Sequence, residues 1–154
     1  MADITVAKTR EVLDESLDEI RRGVQGLTAD ELNARPAGGH TNSIAVIVAH
    51  ALGATRSWMS LAFGKPLPAR DREAEFRTVA DAGFFAWTEQ QIADCLAILD
   101  GATWDPERTG VPNWNTYLGH ERQTAAYAVA HALSHLGEHV GHLHITRELL
   151  RPKE

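Results

Sequence analysis

The last quarter of the chain carries a ladder of histidines whose spacing brings them together only if the segment is an α-helix. The ladder consists of His131, His135, His139 and His142. At about 100° per residue, these four imidazoles fall within an arc of about 80°, and apolar side chains share that arc. The pattern predicts one long helix over residues 125–150 that turns this face toward other helices.

The rest of the chain predicts further helices. Apolar residues recur at helical steps over residues 3–26, from the capping residues at 41–43 to about Phe63, and over 71–99. Residues 101–123 are rich in Gly, Pro, Asn and Thr, which indicates a long irregular connection with room for a short hairpin. Because no segment shows clear strand alternation, the predicted fold class is all-α. We expect a four-helix bundle with a long irregular connection before the last helix.

Size and charge limit the range of functions. The length of 154 residues fits a single domain over 1–154, and the formal net charge is -6, with 15 Lys and Arg against 21 acids. No basic block is present, which argues against nucleic acid and anionic membranes as partners. The single cysteine, Cys95, fits a reducing compartment. Neither a signal peptide nor an apolar run of membrane-spanning length is evident, so a cytoplasmic protein is expected.

The histidine ladder predicts a metal site, since imidazole is the commonest metal ligand among side chains. His131 and His135 lie four residues apart, as do His135 and His139, while His142 follows three residues later. His50 stands alone in an apolar stretch of the second predicted helix and would supply an imidazole from a facing helix. Burying several imidazoles is costly unless each finds a partner, and one cation would satisfy three. The residues alone leave open which pair joins His50, and also leave open a core in which the histidines merely pack.

Two stretches resemble the DinB superfamily, including its DUF664-like branch. The first is residues 42–58, with a single histidine, His50, followed by Trp58. The second is residues 124–150, which holds the histidine ladder and closes on Thr-Arg-Glu-Leu-Leu. Residues 26–36 are also typical of the family. The resemblance implies a four-helix bundle of the DinB type.

The resemblance also implies a ligand set. In that family the histidine of helix two and an HxxxH motif on helix four bind a divalent metal ion, often zinc or nickel. Carried over, the ligands are His50, His135 and His139. The family's glycine two residues beyond the last ligand matches Gly141, which favours this pair over the one that begins a turn earlier. The chain departs from many members at His142, where they have glutamine.

The function that the resemblance implies is thiol chemistry. Characterised members include transferases and isomerases that use low-molecular-weight thiols such as bacillithiol or mycothiol. A metal ion held by neutral imidazoles keeps its charge and open positions, and a thiol bound there is deprotonated. The leading hypothesis is a metal-dependent S-transferase or isomerase with a thiol and a small-molecule electrophile as partners. The alternative is a non-catalytic metal-binding protein, or a dimeric bundle stapled by its metal; family members often pair, so a homodimer is expected.

Supporting roles are assigned to other residues near the ladder. Either Glu138 or His131 is predicted to orient a ligand histidine, with a solvated acid as the alternative for Glu138. For His142 three interpretations stay open: a fourth ligand, a proton acceptor or a core residue. Trp104 and Trp114 lie in the long connection, and one hypothesis is that they wall a pocket above the metal.

Overall fold

The computed structural model of the protein describes residues 4–114 and 121–151. The helices are α1 (Ile4–Val24), α2 (Ala29–Asn33), a single 3-10 turn (Gly38–His40), α3 (Ile44–Ala62), α4 (Arg72–Glu75), α5 (Phe84–Ala97) and α6 (Ala125–Leu149). Two short strands, β1 (Thr109–Gly110) and β2 (Gln123–Thr124), pair antiparallel with Thr109 opposite Thr124.

The long helices α1, α3, α5 and α6 close into a ring in the described part of the chain. Helix α1 packs on α6, α6 on α3, α3 on α5, and α5 back on α1. The predicted all-α bundle is therefore confirmed, and the strand pair lies in the irregular connection before α6. The core between the helices includes the fully buried side chains Leu13, Leu17, Ile20, Leu52, Met59, Ile92, Leu136 and Leu143.

Helix α3 is the central element of this bundle. Every residue in it except Gly53 and Arg56 is buried. The stretch Gly38–Ala62 is the one part of the described chain that is long and apolar enough to cross a membrane, with a mean hydropathy of 1.3. Because 89% of this apolar window is buried inside the protein, its composition is that of a core helix.

Side-chain caps fix where the helices begin. The Ser43 hydroxyl accepts a hydrogen bond from the backbone N–H of Val46, which starts α3. Thr124 does the same for the N–H of Tyr127 at the start of α6. Serine and threonine are typical caps because a short oxygen-bearing side chain satisfies an N–H group that the first helical turn leaves unpaired. These caps set the register in which α3 and α6 present their histidines.

The prediction of one helix over residues 71–99 is wrong. Helix α4 ends at Glu75 and α5 begins at Phe84, with turns between them. The break has a long-range cause, since the side chain of Asn33 accepts a hydrogen bond from Ala80 N at 2.7 Å and donates one to Ala80 O at 2.8 Å. These bonds replace the intrahelical bonds that Ala80 would otherwise make. The turned segment places the end of α4 beside α3.

Candidate metal centre

Three histidines from two helices converge where α3 packs on α6. His50 projects from α3, and His135 and His139 project from successive turns of α6. Each offers one ring nitrogen, and these three nitrogens all lie within 4.8 Å of one another. His50 is 7% exposed, and the other two are half-buried. Residues far apart in the sequence thus form one compact cluster of nitrogen donors.

The two histidines of α6 have the separation expected of neighbouring ligands. Their Nε2 atoms lie 3.2 Å apart. Zinc–nitrogen bonds of about 2.0–2.1 Å in a tetrahedral site put two ligand nitrogens about 3.3 Å apart. The Nδ1 atoms of His135 and His139 are buried and have no hydrogen-bond partner in the described part of the chain. A divalent cation between the two Nε2 atoms would take up the lone pairs of both, so the separation and the donor type of this pair fit a shared metal ion.

Burial and the neighbouring imidazoles keep His135 and His139 uncharged. Burial, with the neighbouring imidazoles as the second cause, lowers the pKa of His135 to about 3. Burial and the nearby His50 lower the pKa of His139 to about 4. Both side chains are therefore neutral at pH 7, which is the form of imidazole that coordinates a metal.

The buried carboxylate of Glu75 lies next to His50. Glu75, the last residue of α4, places Oε2 2.9 Å from Nδ1 of His50. Arg70 donates from Nε to Oε1 at 2.6 Å and from Nη2 to Oε2 at 2.9 Å. Burial alone would raise the pKa of the Glu75 carboxyl, but the hydrogen bonds from His50 and Arg70 hold it below its ordinary value. Glu75 is therefore an anion that accepts hydrogen bonds on both sides.

Sequence reasoning missed Arg70 and Glu75. Both belong to a charged run, Arg70-Asp-Arg-Glu-Ala-Glu75, whose last five residues fall in the continuous helix predicted over 71–99. The structure also brings Phe76 from this segment against His50, with the ring centroids 4.9 Å apart. The available signal was three carboxylates and two arginines clustered beside a loop, which does not identify a partner 25 residues away.

His131 lies one helical turn before the cluster. Its ring stacks between Tyr127 and His135, at centroid distances of 5.6 and 5.7 Å. Trp58 lies 4.6 Å away on another side. His131 is therefore part of an aromatic wall that supports His135, and it lies outside the group of three converging nitrogens.

The two other candidates lie near the cluster but outside it. His142 is exposed, and its ring centroid lies 5.4 Å from that of His139. Glu138 is also exposed, and its negative charge acts on His139 in the direction that raises the pKa. Among the described residues, only the predicted triad brings its nitrogens to one point.

A cavity of about 380 Å³ opens beside the triad. Its lining is mostly apolar and reaches from the 3-10 turn across α3 to the end of α6. The described lining residues are His40, Thr41, Asn42, Val46, Ile47, His50, Phe76, His139, His142, Ile145, Thr146 and Leu149. Trp104 and Trp114 are not among them; Trp114 instead packs edge-on against Trp58 at 5.1 Å. A molecule in this cavity would contact two of the three clustered histidines.

Comparison with known proteins agrees with this architecture. The profile of the mycothiol S-transferases matches residues 8–152, which takes in α3, α5, α6 and all but the first turn of α1. No curated protein and no solved structure gives a significant match. Because the matched region covers nearly the whole chain, the protein belongs to the mycothiol S-transferase family, a DinB-like family of thiol transferases.

Proposed function

We propose that the protein is a metal-dependent thiol S-transferase that joins a low-molecular-weight thiol, of the mycothiol kind, to a small-molecule electrophile. The observation that carries the proposal is the cluster of three ring nitrogens within 4.8 Å, in a chain that belongs to a thiol transferase family. His50, His135 and His139 would hold a divalent ion, zinc or nickel. Three nitrogen ligands from the protein leave coordination positions open, as in catalytic sites.

When bound, the ion would supply positive charge that lowers the pKa of a thiol at the site. The neutral imidazoles matter here because they leave that charge uncancelled. In the transfer, the thiol sulfur forms a bond to the electrophilic carbon, and the leaving group departs with the electron pair of the broken bond. The thiol proton needs an acceptor, and His142 is exposed at the cavity beside His139. We assign His142 this role.

The cavity supports an apolar electrophile. Phe76, Ile145 and Leu149 form apolar walls, while His40 and Asn42 line it together with His142. Apolar walls with a few polar groups are typical of sites that bind small organic molecules. The sulfur would meet the electrophile where these walls approach His50 and His139.

An activity assay tests the proposal. Tag-free protein loaded with Zn²⁺ or Ni²⁺ is mixed with monobromobimane and, separately, with mycothiol, bacillithiol or cysteine. We expect protein-dependent formation of the thioether with mycothiol, and loss of that rate on chelation, because the thiol depends on the ion for deprotonation. His144→Gln is the matched control, since His144 is hydrogen-bonded to Glu19 at 2.9 Å, outside the cluster. Absence of turnover with every thiol would contradict the enzyme proposal.

The competing candidate is a non-catalytic bundle whose metal ion only stabilises the fold. Chelation distinguishes this structural role from the catalytic one. The core between α1, α3, α5 and α6 is apolar and is built from residues other than the triad. We therefore expect the chelated protein to keep its helical circular dichroism and to unfold cooperatively. Loss of helical signal on chelation would favour the structural role.

Domain organisation and assembly are further proposals. The closed ring of helices supports one domain over residues 1–154. A homodimer and a cytoplasmic location stay predictions from the sequence. Light scattering of the purified chain measures the assembly directly.

A further inference from the structure

We infer that Glu75, held in place by Arg70, is a positioning residue that fixes His50 in the tautomer required for metal binding. The inference rests on the proposed metal site and goes beyond it, because it assigns a function to residues outside the ligand set. In this arrangement the proton of His50 sits on Nδ1, and the lone pair of Nε2 is left free for a metal ion.

The first step is hydrogen-bond chemistry. A neutral imidazole has one N–H group and one lone pair, whereas a carboxylate can only accept. Since Oε2 of Glu75 lies 2.9 Å from Nδ1 of His50, Nδ1 must be the donor. The lone pair is then on Nε2. Second partners of this kind set both the orientation and the basicity of a metal-ligating histidine.

The second step concerns what holds Glu75. Arg70 donates to both carboxylate oxygens, and its side chain is only 6% exposed, against 11% for that of Glu75. A two-point pair with arginine fixes the plane of a carboxylate, so Oε2 cannot rotate away from His50. The guanidinium carbon lies 6.0 Å from the ring centroid of Trp114, which places the long connection against the same group. Arg70, Glu75 and His50 thus form one buried chain of hydrogen bonds.

The third step comes from α3 itself. Gly53 follows His50 by three residues, so both lie on one side of the helix. A Cβ atom at Gly53 would lie 2.3 Å from Oε1 of Glu75 and 3.5 Å from Nε of Arg70. The helix that carries His50 therefore leaves space for the carboxylate that orients it. An ion pair that served only to attach α4 to the bundle would not need this close approach beside His50.

Glu75→Gln tests the inference, with Glu73→Gln as the matched control. A carboxamide has one oxygen, so it cannot accept from both donors of Arg70 and from His50 without turning its NH₂ group toward another donor. We expect the affinity for Zn²⁺, measured by competition with a chromophoric chelator, to fall about 10–100-fold. Glu73 lies on the same short helix, its side chain is 75% exposed, and its carboxylate lies 3.8 Å from Arg72, so its variant should bind as the wild type does.

A spectroscopic readout distinguishes positioning from simple support of the fold. In the metal-free wild type, ¹⁵N NMR of His50 should show the proton on Nδ1, and in Glu75→Gln the Nε2–H form should gain population. Gly53→Ala should weaken metal binding in the same direction, because it displaces the carboxylate without changing its charge. Gly137→Ala is its control, since a Cβ there meets nothing within 4 Å.

The inference fails if wild-type His50 carries its proton on Nε2, or if folded Glu75→Gln keeps both the tautomer and the affinity of the wild type. Should Glu75→Gln not fold, the NMR of the wild type and the Gly53→Ala affinity still decide. A wild type without thiol turnover, but with the tautomer and affinity changes described, would reject the proposed function and support the inference.

Discussion

Replacing His139 with alanine is expected to lower Zn²⁺ affinity by more than the roughly 10–100-fold that follows loss of a ligand's hydrogen-bond partner. The variant keeps only two of the three clustered nitrogens, and it removes one member of the pair whose Nε2 atoms lie 3.2 Å apart. Thiol transfer should fall to background, because the ion would no longer be held at the cavity. Chelator competition and the bimane assay measure the two effects on the same preparation.

His131→Gln is the sharpest control for this prediction. His131 lies on the same helix and the same face, but it stacks on Tyr127 and contributes no nitrogen to the cluster. We expect His131→Gln to keep most of the metal affinity. If His131→Gln lost the metal while His139→Ala retained it, the ligand pair would be the one that begins a turn earlier, and the site described above would be wrong.

The second large effect is a loss of stability of the metal-free protein in mild acid. The pKa values of His135 and His139, about 3 and about 4, lie below the ordinary histidine pKa of 6.5, which applies to the unfolded chain. The unfolded chain therefore binds more protons than the folded one between pH 6.5 and pH 4. The free energy of unfolding is therefore largest above pH 6.5. As the pH drops below 6.5, it decreases by up to about 1.4 kcal/mol per pH unit for each imidazole. Partial contact of both imidazoles with solvent reduces this pH effect. We therefore expect the free energy of unfolding to decrease by about 2 kcal/mol in total between pH 6.5 and pH 5.

Urea unfolding of the chelated protein at pH 7, 6 and 5 measures this effect. The double variant His135→Gln/His139→Gln should show a flatter profile, since it lacks the two imidazoles whose pKa values are lowered to about 3 and about 4. The lowered pKa of Glu75 acts in a more acidic range and does not offset the trend. Saturating Zn²⁺ at pH 6 should restore stability through preferential binding to the folded state. Equal stability of the metal-free wild type at pH 7 and pH 5 would show that these imidazoles are not held neutral.

The sequence predicts the parts of this fold that depend on local chemistry. Residue type and spacing account for the caps at Ser43 and Thr124. They also account for the helical face shared by His135 and His139 and for the burial of His50. One further residue, His142, is placed on the correct face but is exposed near the end of the bundle. Helical periodicity predicts which side of its helix a residue faces. It does not predict whether the partner helix extends far enough along the axis to cover that residue.

The missed features all depend on contacts between distant segments. The break between α4 and α5 depends on the two hydrogen bonds between Asn33 and Ala80, which are 47 residues apart. The apolar residues of this region keep helical spacing across the break, so periodicity predicts one continuous helix. Because of the break, Glu75 and Phe76 lie against His50 rather than along α5. No single-sequence pattern links an acid at a helix end to an imidazole on another helix.

X-ray absorption spectroscopy on tag-free, zinc-loaded protein, with elemental analysis of the same sample, tests the central claim most directly. The account predicts one ion per chain and a first shell with three imidazole nitrogens at about 2.0–2.1 Å. A chain that retains no divalent ion, or an ion whose shell lacks imidazole scattering, would contradict it.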